Sequence, residues 1–349
     1  MKILFVNFIK FWGGGESWNF QLMDELRKRN HEIVLLANST SKLLTKANEN
    51  DFETHAVTVS KLSFLNPFTL SEIKRKLVEI KPDIIILNST LELKTIGFHI
   101  NVGCKKVLLL RGIPSPIKLD LLKRYLFSNV VTNVIVNSDY VKNSLSNLDR
   151  FLKNSPEVIY HGIQTESTKT AKTDSNNIAI VGRLSHEKGV DIALRVMQLV
   201  VKEQPDAKLW VIGDGKEKEN LVQLAAELGI TKSIVFKGFV HNVEELLVQC
   251  SMLILPSRWE GFGLVLLEAM KLKMPCIAFN HTAANEIIIE NHTGFLIPDM
   301  NISIMADKIV YLLSNKELTM QLGLNGNMLL KQKFSIENCI DKHEKLILN

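Results

Sequence analysis

The sequence predicts an α/β protein built from two Rossmann-like domains, each a doubly wound parallel sheet, facing a common cleft. Three observations predict it. Short apolar runs alternate with amphipathic helical patterns along the chain, as they do where a parallel sheet is covered on both faces. The alternation is interrupted once, by a polar segment, and then starts again. The length of 349 residues suits about two domains at roughly 100–200 residues each.

The elements follow in order. Residues 2–8 read as a first buried strand, because the apolar run is too short for a secretory leader and no small-residue cleavage site follows. A helix is expected at 17–29 and a strand at 32–37. A helix at 71–80 leads through the turn Lys81-Pro82-Asp83 into a strand at 84–87, and further strands are expected at 106–110, 131–136 and 158–160. Residues 165–177, TESTKTAKTDSNN, hold almost no large apolar side chain and read as a linker between domains at 1–164 and 178–334. Strands are then expected at 178–181, 208–212, 234–236, 252–255 and 276–279, alternating with helices at 190–202, 216–228, 243–249 and 263–272. The tail, 335–349, reads as a helix that packs back on the first domain.

At 46% hydrophobic and 23% charged residues, the composition is that of an ordinary globular protein. Cys104, Cys250, Cys276 and Cys339 are scattered, which predicts reduced thiols and a cytoplasmic setting. No apolar run reaches the ~18 residues a membrane span needs. Through Thr165 there are 22 Lys and Arg against 15 Asp and Glu, and after it 20 against 22. A basic amino-terminal half suits an acidic acceptor or peripheral contact with an anionic membrane surface, or is simply a solvated face. No block of like charge or basic-aromatic interleaving points to nucleic acid.

In open α/β sheets ligands sit beyond the carboxyl ends of the strands. Three loops at such ends carry chemistry. The first, Phe11-Trp12-Gly13-Gly14-Gly15-Glu16-Ser17, opens a helix; its glycines let backbone approach a phosphate, or merely make a flexible turn. It lacks the spacing of a dinucleotide fingerprint. The second, Gly182-Arg183-Leu184-Ser185-His186-Glu187-Lys188-Gly189, brings a guanidinium and an ammonium to one strand end, where they could balance a diphosphate; the alternative is two surface cations. The third runs Pro256-Ser257-Arg258-Trp259-Glu260-Gly261-Phe262-Gly263-Leu264 into a helix. The N–H groups near Gly263 and Leu264 suit a phosphate, and Glu260 would lie beside a sugar attached to it. Glu268, in an apolar segment, reads as a buried carboxylate needing partners, supplied by a ribose diol or by a neighbouring helix.

The segment from Glu260 to Glu268 resembles the paired-glutamate signature of retaining glycosyltransferases of GT-B architecture, in the large "glycosyl transferases group 1" family, family four. Gly182-Arg183-Leu184 with Glu187-Lys188-Gly189 resembles that family's phosphate clamp. Gly213-Asp214-Gly215, Gly238-Phe239-Val240, Glu286 and Thr293-Gly294-Phe295 resemble further landmarks, and Gly13–Gly15 resembles its amino-terminal glycine loop. The resemblance implies a donor site of Gly14, Gly15, Arg183, Lys188, Gly238, Val240, Glu260, Gly261, Phe262, Gly263, Leu264 and Glu268. Within it, Arg183 and Lys188 would hold the diphosphate, Glu260 the sugar, Glu268 the ribose and the backbone near Gly238–Val240 the base. Catalysis would fall to Glu260, Arg183 and Lys188 with no cofactor and no metal, in keeping with the lack of a D-x-D between strands. The donor would be a UDP- or GDP-sugar and the acceptor a glycan or lipid-linked glycan.

One departure stands out. Family members often carry a histidine after the strand at 106–110, where this chain has Arg111, which cannot serve as a base at neutral pH. Arg111 and Glu16 become acceptor-side candidates. The alternatives are a nucleotide-sugar epimerase on the same scaffold, or a nucleotide-binding protein whose catalysis has decayed; a dehydrogenase fits poorly. The amphipathic run at 117–127 reads as a core-facing helix, with membrane contact as the second reading.

Overall fold

Short, mostly apolar runs become two parallel sheets. A computed structural model describes every residue except 101, 102 and 299. The chain divides into two units, one of Met1–Tyr160 with Cys339–Asn349 and one of His161–Asn338.

In the first unit the strands are β1 (Lys2–Asn7), β2 (Glu32–Asn38), β3 (Glu53–Val57), β4 (Ile84–Leu87), β5 (Lys106–Arg111), β6 (Asn133–Val136) and β7 (Glu157–Val158). Their order is β3-β2-β1-β4-β5-β6-β7, all parallel, with Phe5 opposite Leu35 on one side and Ile86 on the other. Strands such as β4, Ile-Ile-Ile-Leu, are buried on both faces, as helices on each side of a parallel sheet require. In the second unit β8 (Asn177–Val181), β9 (Lys208–Ile212), β10 (Ile234–Gly238), β11 (Met252–Leu255), β12 (Cys276–Phe279) and β13 (Gly294–Ile297) are ordered β10-β9-β8-β11-β12-β13, again parallel. Each unit has a core of its own, centred on residues such as Val6, Leu36 and Phe127 in one and Leu194, Ile254 and Phe279 in the other.

Two strands escape the sequence reading. β3 carries Glu-Thr-His-Ala-Val at a sheet edge, too polar to stand out. β13 begins with a glycine, which weakens a strand reading. That glycine is required by contact, since a Cβ on Gly294 would lie 2.0 Å from the Cys276 carbonyl oxygen.

The expected linker is not a free tether. Ala171 is buried, its N–H bonds to the Leu272 carbonyl (2.9 Å), and the Lys172 N–H bonds to the Val248 carbonyl (3.0 Å). Polar side chains hid this because the backbone makes the attachment. The last helix, Ile336–Leu348, carries the chain into the first unit. There Glu344 pairs with Arg29 (2.6 Å) and His31 (2.9 Å), and the Lys106 ammonium donates to the Leu346 carbonyl (2.8 Å).

Candidate functional site

In each sheet the strand order reverses once, between β1 and β4 and between β8 and β11. Crossovers leave to opposite faces there and open a crevice at the strands' carboxyl ends.

In the second unit two loops enter that crevice, one after β8 and one after β11. Gly189, at φ +66°, caps the helix Val190–Glu203, and a Cβ on it would lie 1.9 Å from the Pro256 carbonyl oxygen. Only glycine lets the loops approach so closely. Arg258 locks them. Its guanidinium grips Asp191 with both nitrogens (2.8 and 2.6 Å) and donates to the His186 carbonyl (2.7 Å), and its N–H donates to the Glu187 carbonyl (2.9 Å). Against burial, which would raise it, this pairing holds the Asp191 carboxyl below its ordinary value. The Arg258 carbonyl in turn meets His281 Nε2 at 2.9 Å. Arg258 and Asp191 join the two loops, and sequence reasoning missed the pair. Nothing in the spacing of an arginine and an aspartate 67 positions apart announces a pair.

Two of the expected donor-site residues meet beside this frame. Lys188 and Glu260, assigned from separate loops, form an ion pair with Nζ to Oε2 at 2.6 Å. Arg183, at the end of β8, is exposed, and no hydrogen bond or ion pair holds its guanidinium among the described residues. Gly238 closes β10 at φ +70°, and Val240 follows it on the adjoining loop. Gly261 is buried. Phe262 is also buried, its ring meeting His161 edge-on at 5.2 Å and Phe334 at 6.1 Å. His161 therefore lies beside the loop that follows β11.

Gly263, at φ +97°, caps the helix Leu264–Lys271, and no side chain caps its first turn. Uncapped N–H groups and the helix dipole make that end attractive to an anion. Leu266, Leu267, Ala269 and Met270 form the helix's buried stripe, whereas Glu268 is exposed, which corrects the expectation of a buried carboxylate. The salt bridge to a neighbouring helix is made instead by Lys271, to Glu244 at 3.1 Å. Glu268 has no hydrogen bond or ion pair of its own among the described residues. Surrounding protein nevertheless desolvates it enough to push its carboxyl up, with Lys271 opposing and Glu244 adding to the rise.

In the first unit the helix Gly14–Lys28 starts beside the crevice, with no side chain capping its first turn. Gly14 and Gly15 are exposed, and a Cβ on Gly15 would meet nothing within 4 Å, so packing does not demand that glycine. Glu16 lies on the helix's inward stripe with Asn19, Met23 and Leu26 and is 7% exposed, leaving little surface to offer an acceptor. Beyond β4, Glu92 is fully buried. It accepts from the Phe8 N–H (2.9 Å) and from the Ser89 hydroxyl, and burial pushes its carboxyl up. It ties the glycine loop's approach to β4. The signal was the Ser-x-x-Glu spacing of a capping box, which the sequence reading passed over. Arg111 ends β5 half-buried. One guanidinium nitrogen donates to the Ser115 carbonyl (3.2 Å) and hydroxyl (3.1 Å), its Nε is buried without a partner among the described residues, and burial lowers its pKa. No carboxylate pairs with it among the described residues, which leaves a desolvated cation without a counter-ion.

Two family models match the chain, "Glycosyltransferase Family 4" over residues 12–167 and "Glycosyl transferases group 1" over residues 163–328. The chain belongs to the group 1 glycosyltransferases. Among curated relatives, an uncharacterized glycosyltransferase of Methanocaldococcus jannaschii is 33% identical over 239 residues, 67% of this chain and 65% of that protein. The poly(ribitol-phosphate) alpha-N-acetylglucosaminyltransferase of Staphylococcus aureus is 26% identical over 64% of this chain and 41% of its own length. The match thus spans less than two thirds of either relative. Two solved structures share the GT-B fold over the whole chain: Anabaena HepE in complex with UDP and glucose (TM-score 0.85, 19% identity, all of both chains) and an S. aureus TarM variant in complex with fondaparinux, alpha-GlcNAc-glycerol and UDP (TM-score 0.85, 15% identity, all of both chains).

Proposed function

We propose that this group 1 glycosyltransferase moves a sugar from a UDP- or GDP-sugar to a glycan or lipid-linked glycan acceptor, with retention of anomeric configuration. One observation carries the reading. Arg183, the Lys188–Glu260 pair, the start of helix Leu264–Lys271, which no side chain caps, and Glu268, unpaired among the described residues, all belong to the loops and helix at the switch point of one sheet.

The roles follow from charge. Arg183 and Lys188 compensate the diphosphate and stabilise it as it leaves, together with the N–H groups around Gly263 and Leu264. Glu268 accepts from the ribose hydroxyls. As the diphosphate draws Lys188 toward itself, Glu260 is released to the hydroxyls of the donor sugar. Arg111 cannot take the acceptor proton, so in a retaining transfer the leaving phosphate accepts it. We propose that no metal enters this step, which predicts full activity in EDTA. The UDP complexes of HepE support UDP as the first nucleotide to try.

The test begins with thermal shifts against UDP, GDP, ADP, CMP and NAD, since a ligand that binds only the folded state raises the melting temperature. Stabilisation by one nucleoside diphosphate supports the donor site. A shift with NAD alone, or with none of them, defeats it. The anomeric coupling constant of the isolated product then decides retention. Release of free or epimerised sugar without acceptor would favour an epimerase, and binding without any turnover a decayed enzyme.

A further inference from the structure

The first unit carries a surface that the donor chemistry does not use. Leu62, Leu65, Phe68, Phe98, Leu121 and Tyr125 are all more than half exposed, Phe68 at 85% and Leu121 at 82%. They form one region. The turn Ser63–Leu65 packs on the helices Pro67–Ile80 and Thr90–Ile96, and the helix Leu121–Asn129 packs on Thr90–Ile96 as well. Lys94 ties the two sides, its ammonium 4.9 Å from the Phe64 ring and 2.7 Å from Asp120. Phe98 and Tyr125 stack at 5.9 Å. The segments 61–75, 94–99 and 118–125 contain seven Lys and Arg against two acids, Glu72 and Asp120. Asp120 is already taken by Lys94 and Lys123.

We propose that this patch docks the chain onto an anionic lipid surface. Clustered large apolar side chains within a basic field are what an interface of acyl chain and acidic headgroup accepts. A second copy is a poor occupant, because a two-fold contact would set the basic field against itself. A nucleic acid would leave Leu62, Leu65 and Leu121 without partners. The run at 117–127 is only a corner of the patch: Ile117, Leu126 and Phe127 are buried in the core, as the core-facing reading expects, and the strongest signal lies at residues 62–68. The proposal does not depend on the transfer reaction.

The test is flotation of the full chain with phosphatidylcholine vesicles, with and without phosphatidylglycerol. The wild type is expected to float only with the phosphatidylglycerol vesicles and to be released by salt. The double variants Leu65→Ser/Phe68→Ser and Lys61→Glu/Lys118→Glu should each lose about tenfold or more in partitioning, with melting temperatures near wild type because all four side chains are exposed. Failure of the wild type to bind, or equal binding by either well-folded variant, overturns the proposal. So does a wild-type dimer in solution that Leu65→Ser/Phe68→Ser abolishes, since a second copy would then cover the patch.

Discussion

Replacing Glu260 by glutamine removes one charge from the 2.6 Å contact with Lys188 while keeping the shape of the loop. The partners' side chains are 26% (Lys188) and 14% (Glu260) exposed. The pair therefore lies between a surface pair, worth under about 1 kcal/mol, and a sealed one; about 1–2 kcal/mol is a reasonable value for a charge-assisted contact so placed. A diphosphate that recruits Lys188 must first compete with Glu260. With glutamine there, that competition is gone, and UDP should bind roughly five- to thirty-fold more tightly. Transfer should fall about 100-fold or more, because glutamine cannot offer the sugar a charged acceptor as the transition state forms. Titration calorimetry with UDP and turnover of a labelled UDP-sugar read the two effects separately. Weaker UDP binding together with near-wild-type turnover would refute the idea that Lys188 passes from Glu260 to the diphosphate.

Three further outcomes are expected. Arg183→Ala should weaken UDP binding by roughly tenfold or more but leave uridine binding almost unchanged; equal losses for both ligands in calorimetry would remove the phosphate role. Gly189→Ala, which forces a Cβ against the Pro256 carbonyl at φ +66°, should cost about 2 kcal/mol or more of stability in urea titration, and a neutral result would mean that the two loops are free to move apart. His343 is buried against Trp18, with Nδ1 3.0 Å from the Cys339 carbonyl, and burial pushes its pKa down to about 4. Its unfolded value is about 6.5, so the unfolded state binds the proton first. Stability is full above about pH 6.5 and is lost as pH falls toward 4, by about 3 kcal/mol in all. His343→Leu should flatten that part of the unfolding profile, and parallel wild-type and variant profiles between pH 7 and 5 would contradict it.

Much of the fold was legible because parallel strands buried on both faces are continuous apolar runs, and helices between them keep a period of their own. β4 and β11 are plain in the sequence for that reason. β3 and β13 were not, because an edge position and a glycine set by contact leave no apolar run to read. Glu92 was legible in principle, since a serine three residues ahead of a glutamate has a local cause.

Which chemical groups stand in the loops after the strands, Arg183, Lys188 and Glu260 among them, is legible in the sequence, because strand-loop-helix order is local. Their pairing depends on the fold as a whole. Lys188 meets Glu260 and Arg258 meets Asp191 because β8 and β11 are neighbours in the sheet and bring their distant loops together, and His161 meets Phe262 across 101 positions of chain. Glu16 turns inward, Glu268 stays within reach of solvent, and Arg111 has no counter-ion among the described residues. A side chain's charge is written in its residue type, but its partner and its burial depend on residues far away in the chain, and no local pattern encodes those.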